Sequence, residues 1–327
     1  MSILHILNGD SARMGLEGSG IPGVFIVWPD ILYEGPTPLA TGEKWIAART
    51  GYLADVALRE VDEVAARYRQ NDAALEAFRG YEEVVFWLEH DLFDQLLLIR
   101  HLWWMGVRGV SIRRVQSGKR NATRFSLVCR DTYLGPLTPD RFPPLFAARQ
   151  PVTDAQIALG SRVWRAFCGE DPSRLLVFTI GVAQDLPFLA AALHRYLEEF
   201  PSAATGLSRT ETQILRVVSG GPLPVGEAFQ ASTALEDAIF LGDLSFFNIV
   251  HTLASARHPM LAIGESSPEP PSFAERTIRL TDTGREVLAG RADHIALNGI
   301  DRWMGGVHLK GTDTWRWDGS QLHRAVV

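Results

Sequence analysis

Short apolar runs alternate with helix-forming stretches through the first half of this sequence. Three of the runs are rich in β-branched and aromatic residues and stop at a polar residue or a Gly/Pro break: Ile3–Leu7, Gly23–Trp28 and Glu83–Leu88. Runs of this kind are typical of buried strands. Between the second and third runs, apolar residues recur at helical spacing as far as Gly80. The alternation predicts an α/β fold with a mainly parallel sheet flanked by helices.

The sequence after the third run predicts one further helix and two further strands. His90–Gly106 ("HDLFDQLLLIRHLWWMG") has the periodicity of one amphipathic helix that ends at its glycine. The segments "VRGVSIRRV" (Val107–Val115) and "RFSLVCR" (Arg124–Arg130) are typical of strands. These elements extend the predicted sheet.

A proline-rich stretch marks the predicted end of this first domain. It is "LGPLTPDRFPPLFAARQ" (Leu134–Gln150), and prolines at this density interrupt regular structure. We therefore predict an α/β domain with a candidate ligand site over residues 1–135. A helical middle segment is predicted over 136–205, and a winged-helix-like α+β domain over 206–327.

The order of elements in the last domain predicts the winged-helix-like arrangement. Ser208 and Glu211 have the spacing of a capping box at a helix start. Helical stretches follow, and then two strand-like stretches lie on either side of "ESSPEPPSFAE" (Glu265–Glu275), the predicted wing tip. The tail segment "GGVHLKGTDTWRWD" (Gly305–Asp318) predicts a Trp-rich C-terminal hairpin that packs on the body of the protein.

Charge argues against DNA as a partner. The formal net charge is −6 and the pI is near 5.9, so no global basic field attracts nucleic acid. From Ser208 to Arg291 there are seven basic and ten acidic residues. The predicted recognition helix, Phe240–Ser255, contains no Arg or Lys. A phosphate-binding surface needs the opposite balance, so a small molecule or polar metabolite is the expected ligand.

The sequence also bears on location and redox state. No run approaches the roughly 18 apolar residues of a membrane span, and the start lacks the pattern of a signal peptide. The two cysteines, Cys129 and Cys168, lack metal-ligand spacing and are predicted to be reduced and buried. We expect a soluble cytoplasmic protein of bacterial type with no membrane partner. The oligomeric state is left open, a homodimer included.

Polar residues follow each of the three predicted strands. Because ligands bind outside the carboxyl ends of strands in open α/β sheets, these residues should share one cleft. They are Asn8, Gly9, Asp10 and Ser11 after the first strand, Asp30, Tyr33, Glu34 and Gly35 after the second, and Glu89, His90, Asp91 and Asp94 after the third. Converging carboxylates and an imidazole are typical of metal, phosphate or general acid–base sites.

We therefore predict two sets of site residues. The predicted catalytic residues are Asp10, Glu89, His90 and Asp91. The predicted ligand-binding residues are Asn8, Gly9, Ser11, Asp30 and Glu34. The cofactor is unknown, and a divalent metal ion is left open.

A structural interpretation of the same residues competes with the functional one. Asp10, Ser11 and Asp91 are also good helix N-caps, and the glycines are common turn residues. The block "NGDSA" is similar to the nucleophile block of Gly-Asp-Ser lipases and esterases, which leaves open Ser11 as a nucleophile with His90 as its base. The partner motifs of that family are missing, since no Asp stands three residues before any histidine.

Several blocks together resemble one family. They are "LHILNGDS", "FIVWPDILYEGP", "VVFWLEHDLFDQLLLIRHL", "LSRTETQIL" and "LTDTGREVLAGRADHIALNGIDRWMGG". On these blocks the chain resembles the bacterial proteins grouped as domain of unknown function 1835, over nearly its whole length. The resemblance implies a shared fold and a shared site, and it implies no substrate.

Two functional hypotheses follow from the sequence. The first is a small-ligand-binding protein or enzyme, a hydrolase or transferase, which acts on a polar or phosphorylated metabolite at the strand ends. The second is a regulatory protein whose winged-helix-like unit contacts a protein or, less favoured, DNA.

Overall fold

The computed structural model describes residues 2–57, 59–110, 123–181, 184–264 and 272–325. These residues form a mixed α/β structure, as predicted. The strands are β1 (Ile3–Leu7), β2 (Val24–Val27), β3 (Gly35–Pro36), β4 (Glu83–Leu88), β5 (Arg124–Cys129), β6 (Gln150–Pro151), β7 (Leu223–Pro224), β8 (Leu261–Ile263), β9 (Thr277–Leu280), β10 (Ile300–Gly305), β11 (Val307–Gly311), β12 (Thr314–Trp317) and β13 (Leu322–Ala325).

The α-helices lie between and after these strands. They are α1 (Asp10–Gly18), α2 (Glu43–Ala57), α3 (Val61–Glu76), α4 (Leu92–Val107), α5 (Phe142–Ala147), α6 (Asp154–Phe167), α7 (Leu189–Leu197), α8 (Arg209–Ser219), α9 (Val225–Thr233), α10 (Asp243–Ser255), α11 (Asp282–Leu288) and α12 (His294–Asn298). Short 3-10 helices cover Ala77–Gly80, Pro139–Arg141, Pro172–Phe178 and Phe273–Glu275. In the described part of the chain, no helix has both the length and the apolar character to cross a membrane.

The largest sheet has the strand order β2-β1-β4-β5-β6, and only β6 is antiparallel. The first three predicted strands are neighbours in this sheet. His5 of β1 lies opposite Phe25 of β2 on one side and Val85 of β4 on the other. Side chains alternate between the two faces of the sheet. Leu4 and Ile6 join the core cluster that includes α4, while their neighbours on β1 join a second cluster that includes α1. Helices on both faces explain why β1 and β4 are buried along their whole length.

The predicted helix after β4 is confirmed as α4, whose side chains are buried on nearly every face. The strand predicted over "VRGVSIRRV" is wrong at its first residue, because Val107 is the last residue of α4. The rest of that prediction, residues 111–115, lies outside the described residues. "RFSLVCR" is confirmed as β5. In the predicted helical middle segment, α6 begins with a complete capping box between Thr153 and Gln156.

The C-terminal half begins with α8, which has the predicted capping box between Ser208 and Glu211. A three-stranded antiparallel sheet of order β7-β9-β8 follows, and the sequence did not indicate its two-residue strand β7. Residues 265–271 of the predicted wing tip lie outside the described residues.

The Trp-rich tail forms two hairpins where one was predicted. The strand β11 pairs with β10, and β12 pairs with β13, so the predicted pairing of β11 with β12 is wrong. The reason is the turn at Gly305, where φ is +61° and a side chain would be strained. This turn reverses the chain before β11. The tail also reaches back to the first domain, since β10 pairs in parallel with β3.

His5 is a buried neutral histidine in the central strand. The indole Nε1 of Trp87 donates a hydrogen bond to its Nδ1 at 3.0 Å, and its Nε2 lies 3.3 Å from the carbonyl oxygen of Pro22. These contacts fit the neutral ring with its proton on Nε2. Burial is the largest cause that lowers the pKa of His5 from 6.5 to about 4, and the Pro22 contact opposes it.

We expect His5 to make the protein sensitive to acid. The unfolded chain takes up the imidazole proton near pH 6.5, whereas the folded chain takes it up near pH 4. The free energy of unfolding therefore has its full value above pH 6.5 and decreases as the pH falls from 6.5 to 4. The loss should reach about 3 kcal/mol. Urea unfolding at pH 7 and pH 4.5 should show a larger loss for the wild type than for His5→Phe, and equal losses would contradict the assignment.

Candidate functional site

Three carboxylates meet where β4 ends and α4 begins. Glu89 follows β4, Asp91 is the N-cap of α4, and Asp94 lies in its first turn. One carboxylate oxygen from each of the three lies within 4.8 Å of the other two. Their exposed fractions are 6%, 4% and 0%, so water does not solvate the three charges. We call Glu89, Asp91 and Asp94 the carboxylate cluster.

Three neutral groups among the described residues donate hydrogen bonds to the carboxylate cluster. The amide Nδ2 of Asn8 donates to Asp94 Oδ2 at 2.7 Å, and the backbone N–H of Leu134 donates to Glu89 Oε1 at 2.7 Å. The backbone N–H of Asp94 donates to Asp91 Oδ1 at 3.1 Å. The second oxygen of Asp94, Oδ1, is buried and has no hydrogen-bond partner among the residues that the structure describes. A buried carboxylate oxygen in this state is costly unless a proton or a cation is bound nearby.

The electrostatics of the cluster follow from this environment. Burial is the largest cause that raises the pKa of Glu89, and it raises the pKa of Asp91 to about 7, with the charge of Glu89 adding to the effect. Burial and the charges of its two neighbours raise the pKa of Asp94 well above its usual range. Like charges at this separation cannot all ionise cheaply in a protein interior.

Glu83, at the other end of β4, is a buried carboxylate that has arginine partners. Its carboxylate is also buried, but it accepts hydrogen bonds from Arg149 at 2.7 Å, from Ser126 at 2.6 Å and from Arg124 at 3.2 Å. Although burial opposes them, these bonds lower the pKa of Glu83 to about 2. Glu83 at the start of β4 and Glu89 just after its end are both buried, but the protein supplies cationic partners only to Glu83 among the described residues.

His90 lies beside the cluster in an aromatic setting. Its ring centroid lies 5.1 Å from that of Tyr133 and 5.9 Å from that of Phe188, and its Nδ1 is buried without a hydrogen-bond partner among the described residues. The Tyr133 hydroxyl accepts a hydrogen bond from the backbone N–H of Ile239 at 2.5 Å. Segments after β5 and before α7 therefore pack against His90.

Asp30 and Glu34 lie in a neighbouring, structural network. The buried guanidinium of Arg49 donates to Asp30 Oδ1 from Nε at 3.0 Å and from Nη2 at 2.8 Å. It also donates to the carbonyl oxygens of Ile31, Glu34 and Pro36. The Glu34 side chain accepts a hydrogen bond from the Tyr52 hydroxyl at 2.7 Å. Arg49 therefore organises the loop that leads into β3.

The remaining predicted residues lie at the start of α1. Gly9 is the N-cap residue of this helix, so neither Asp10 nor Ser11 caps it. Both side chains are exposed, and Asp10 pairs with Arg13 at 3.2 Å.

The structure thus brings together only part of the predicted site. Asn8, Glu89 and Asp91 meet, with His90 next to them, while Asp10, Ser11, Asp30 and Glu34 make their contacts elsewhere. Sequence reasoning noted Asp94 but left it out of the predicted site, and it missed Tyr133 and Leu134. The last two follow β5, so the strand-end rule that selected the others would also have found them.

No family model and no curated protein matches the sequence. The resemblance to domain of unknown function 1835 therefore stays a prediction.

Proposed function

We propose that this protein binds a divalent cation at the carboxylate cluster and uses it to act on a polar or phosphorylated small molecule, as a hydrolase or transferase. The observation that carries the proposal is the buried Asp94 Oδ1, which lacks a partner beside two further buried carboxylates. Glu83, on the strand that leads to the cluster, indicates how a purely structural buried carboxylate is neutralised, namely by arginine partners.

The geometry of the cluster suits one hard cation. Oxygens that share an ion lie at most about twice the metal–oxygen distance apart, which is about 4–5 Å for Mg²⁺ and Ca²⁺. The separations within 4.8 Å fit this limit. The donors are carboxylates, the ligand type suited to Mg²⁺, Mn²⁺ and Ca²⁺, and no His or Cys belongs to the cluster, whereas structural zinc sites rely on those residues.

The surrounding residues have distinct proposed roles. Asn8 orients Asp94 through its amide, and Leu134 orients Glu89 through its backbone N–H. A bound divalent cation would supply Lewis-acid stabilisation of a phosphoryl or carbonyl oxygen. His90 lies next to the cluster with Nδ1 free of protein partners, so it is the residue we propose to accept or donate a proton.

The C-terminal unit has a supporting role in this proposal. The order of α8, α9, α10 and the β7-β9-β8 sheet supports a winged-helix-like unit. The exposed side chains of α10 include Asp243, Asn248 and His251 but no basic residue, which supports protein contact over DNA binding. A regulatory protein therefore stays the second candidate function.

Calorimetric titration with Mg²⁺ and with Mn²⁺ tests the cation proposal. We expect one site per chain and tighter binding at pH 8 than at pH 6, because the cation must displace protons from the cluster, where the pKa of Asp91 is about 7. Absence of heat at millimolar Mg²⁺ and Mn²⁺ at both pH values would contradict it. Hydrolysis of a panel of phosphate esters in the presence of the bound cation then tests the reaction class.

A further inference from the structure

A cavity lies at the carboxyl end of β2, the edge strand of the large sheet. It has a volume of about 260 Å³ and is enclosed by the segment after β2, by α2 and α3, and by the start of α10. Ligand pockets commonly measure about 300–1,000 Å³, so this cavity suits a ligand of about one ring. None of the carboxylate cluster lines it.

The walls of this cavity are mostly apolar. Trp28, from the segment after β2, lines it together with Leu53 of α2, Val64 of α3 and Leu244 of α10. Polar groups come mainly from one face of α3, where Arg67 and Asn71 are one helical turn apart. The amide Nδ2 of Asn71 donates to the carbonyl oxygen of Val27 at 2.9 Å, which fixes its orientation. These walls suit a ligand that has an apolar body and one polar end.

Asp30 also lines the cavity, and its carboxylate is paired with Arg49, so the charges at the rim leave one guanidinium available. Arg59 pairs with Glu63 at 2.8 Å, so these two charges satisfy each other. Arg67 has only a long contact of 3.9 Å to Asp10, and Asp10 also accepts a hydrogen bond from Arg13. In the described part of the chain, Arg67 donates no hydrogen bond, so its fork of N–H donors is open to an anion.

We infer that this cavity binds a small organic monoanion, a carboxylate on an aromatic or branched aliphatic body, with Arg67 paired to the carboxylate. The body of the ligand packs against Trp28, Leu53 and Val64. Leu244 belongs to α10, so a bound ligand touches both the α/β domain and the C-terminal unit. The inference is independent of the cation site and adds a ligand-sensing function to the protein.

Benzoate, with benzamide as its uncharged match, tests the inference on the full chain. Saturation-transfer NMR should give binding of benzoate at millimolar concentration or tighter and weaker binding of benzamide. We expect Arg67→Gln to weaken benzoate roughly 10- to 100-fold, the value of a charge-assisted hydrogen bond. Arg69→Gln, an exposed change on the same helix, should leave binding unchanged. Val64→Trp fills the cavity and should abolish binding.

Three outcomes would overturn the inference. They are no saturation transfer to benzoate, equal binding of benzoate and benzamide, and full binding to Arg67→Gln or Val64→Trp. Asp94→Asn, a change in the carboxylate cluster, should bind benzoate normally. Arg67→Gln should bind Mg²⁺ as the wild type does, so failure at one site is distinguishable from failure at the other.

Discussion

Asp94→Asn is expected to raise the melting temperature of the protein and to abolish its cation binding. The asparagine has the same shape, accepts the hydrogen bond from Asn8, and adds an N–H donor toward Glu89 and Asp91, so repulsion within the cluster falls. A cation loses a direct ligand at the same time. Removing a residue that only orients a metal-coordinating side chain lowers metal affinity about 10–100-fold. Asp94 is proposed to contact the cation directly, so we expect its replacement to lower the affinity at least about 100-fold.

Glu83→Gln is the matched control for this variant. It changes a different buried carboxylate, on β4, and breaks ion pairs with Arg149 and Arg124, so it should lower the melting temperature and keep cation affinity. Thermal melts without added metal and Mg²⁺ titrations of both variants measure the contrast. A lower melting temperature for Asp94→Asn together with intact binding would show that Asp94 is structural. Higher stability with lower function is typical of a site built from repelling charges.

Arg49→Met is expected to destabilise the protein by about 3–5 kcal/mol. The variant keeps an apolar stem of similar length but leaves Asp30 as a buried charge with no cation, and it removes three hydrogen bonds to backbone carbonyls of the loop before β3. Arg49 and Asp30 are 0% and 1% exposed, so water cannot replace the lost partner. Urea unfolding monitored by tryptophan fluorescence measures the loss.

The double variant Arg49→Met/Asp30→Asn distinguishes the effect of the lost ion pair on stability from the effect of the changed side-chain packing. Removing the stranded charge should recover part of the lost stability, so the double variant should be more stable than Arg49→Met alone. Arg69→Met provides a control, because Arg69 pairs with Glu43 on the surface, and it should cost less than about 1 kcal/mol. A loss below about 1 kcal/mol for Arg49→Met would contradict the structural role of the pair.

The sheet was predictable because its strands are buried on both faces. Continuous apolar runs such as Glu83–Leu88 have few alternatives in an α/β protein, and the strand-end rule then locates Glu89 and Asp91. The local spacing between Asp91 and Asp94 places both in the first turn of α4. These inferences depend on the order of apolar and polar residues within a short segment, which can be read directly from the sequence.

The rest of the site depends on contacts between distant residues. Nothing near Asp30 in the sequence indicates that Arg49 would neutralise it, so this buried ion pair was not predicted. Asp10 was placed at the correct sheet edge, but its direction depends on where α1 begins, and Gly9 takes the N-cap position. The hairpins of the tail likewise depend on the backbone conformation of Gly305, which composition does not reveal.

Anomalous diffraction from crystals soaked in Mn²⁺ tests the central claim most directly, because it locates the ion. We expect a peak about 2.0–2.6 Å from carboxylate oxygens of Glu89, Asp91 and Asp94, and no such peak in crystals of Asp94→Asn. A peak only at other carboxylates, or none between these three at a saturating Mn²⁺ concentration, would contradict a cation site at the end of β4.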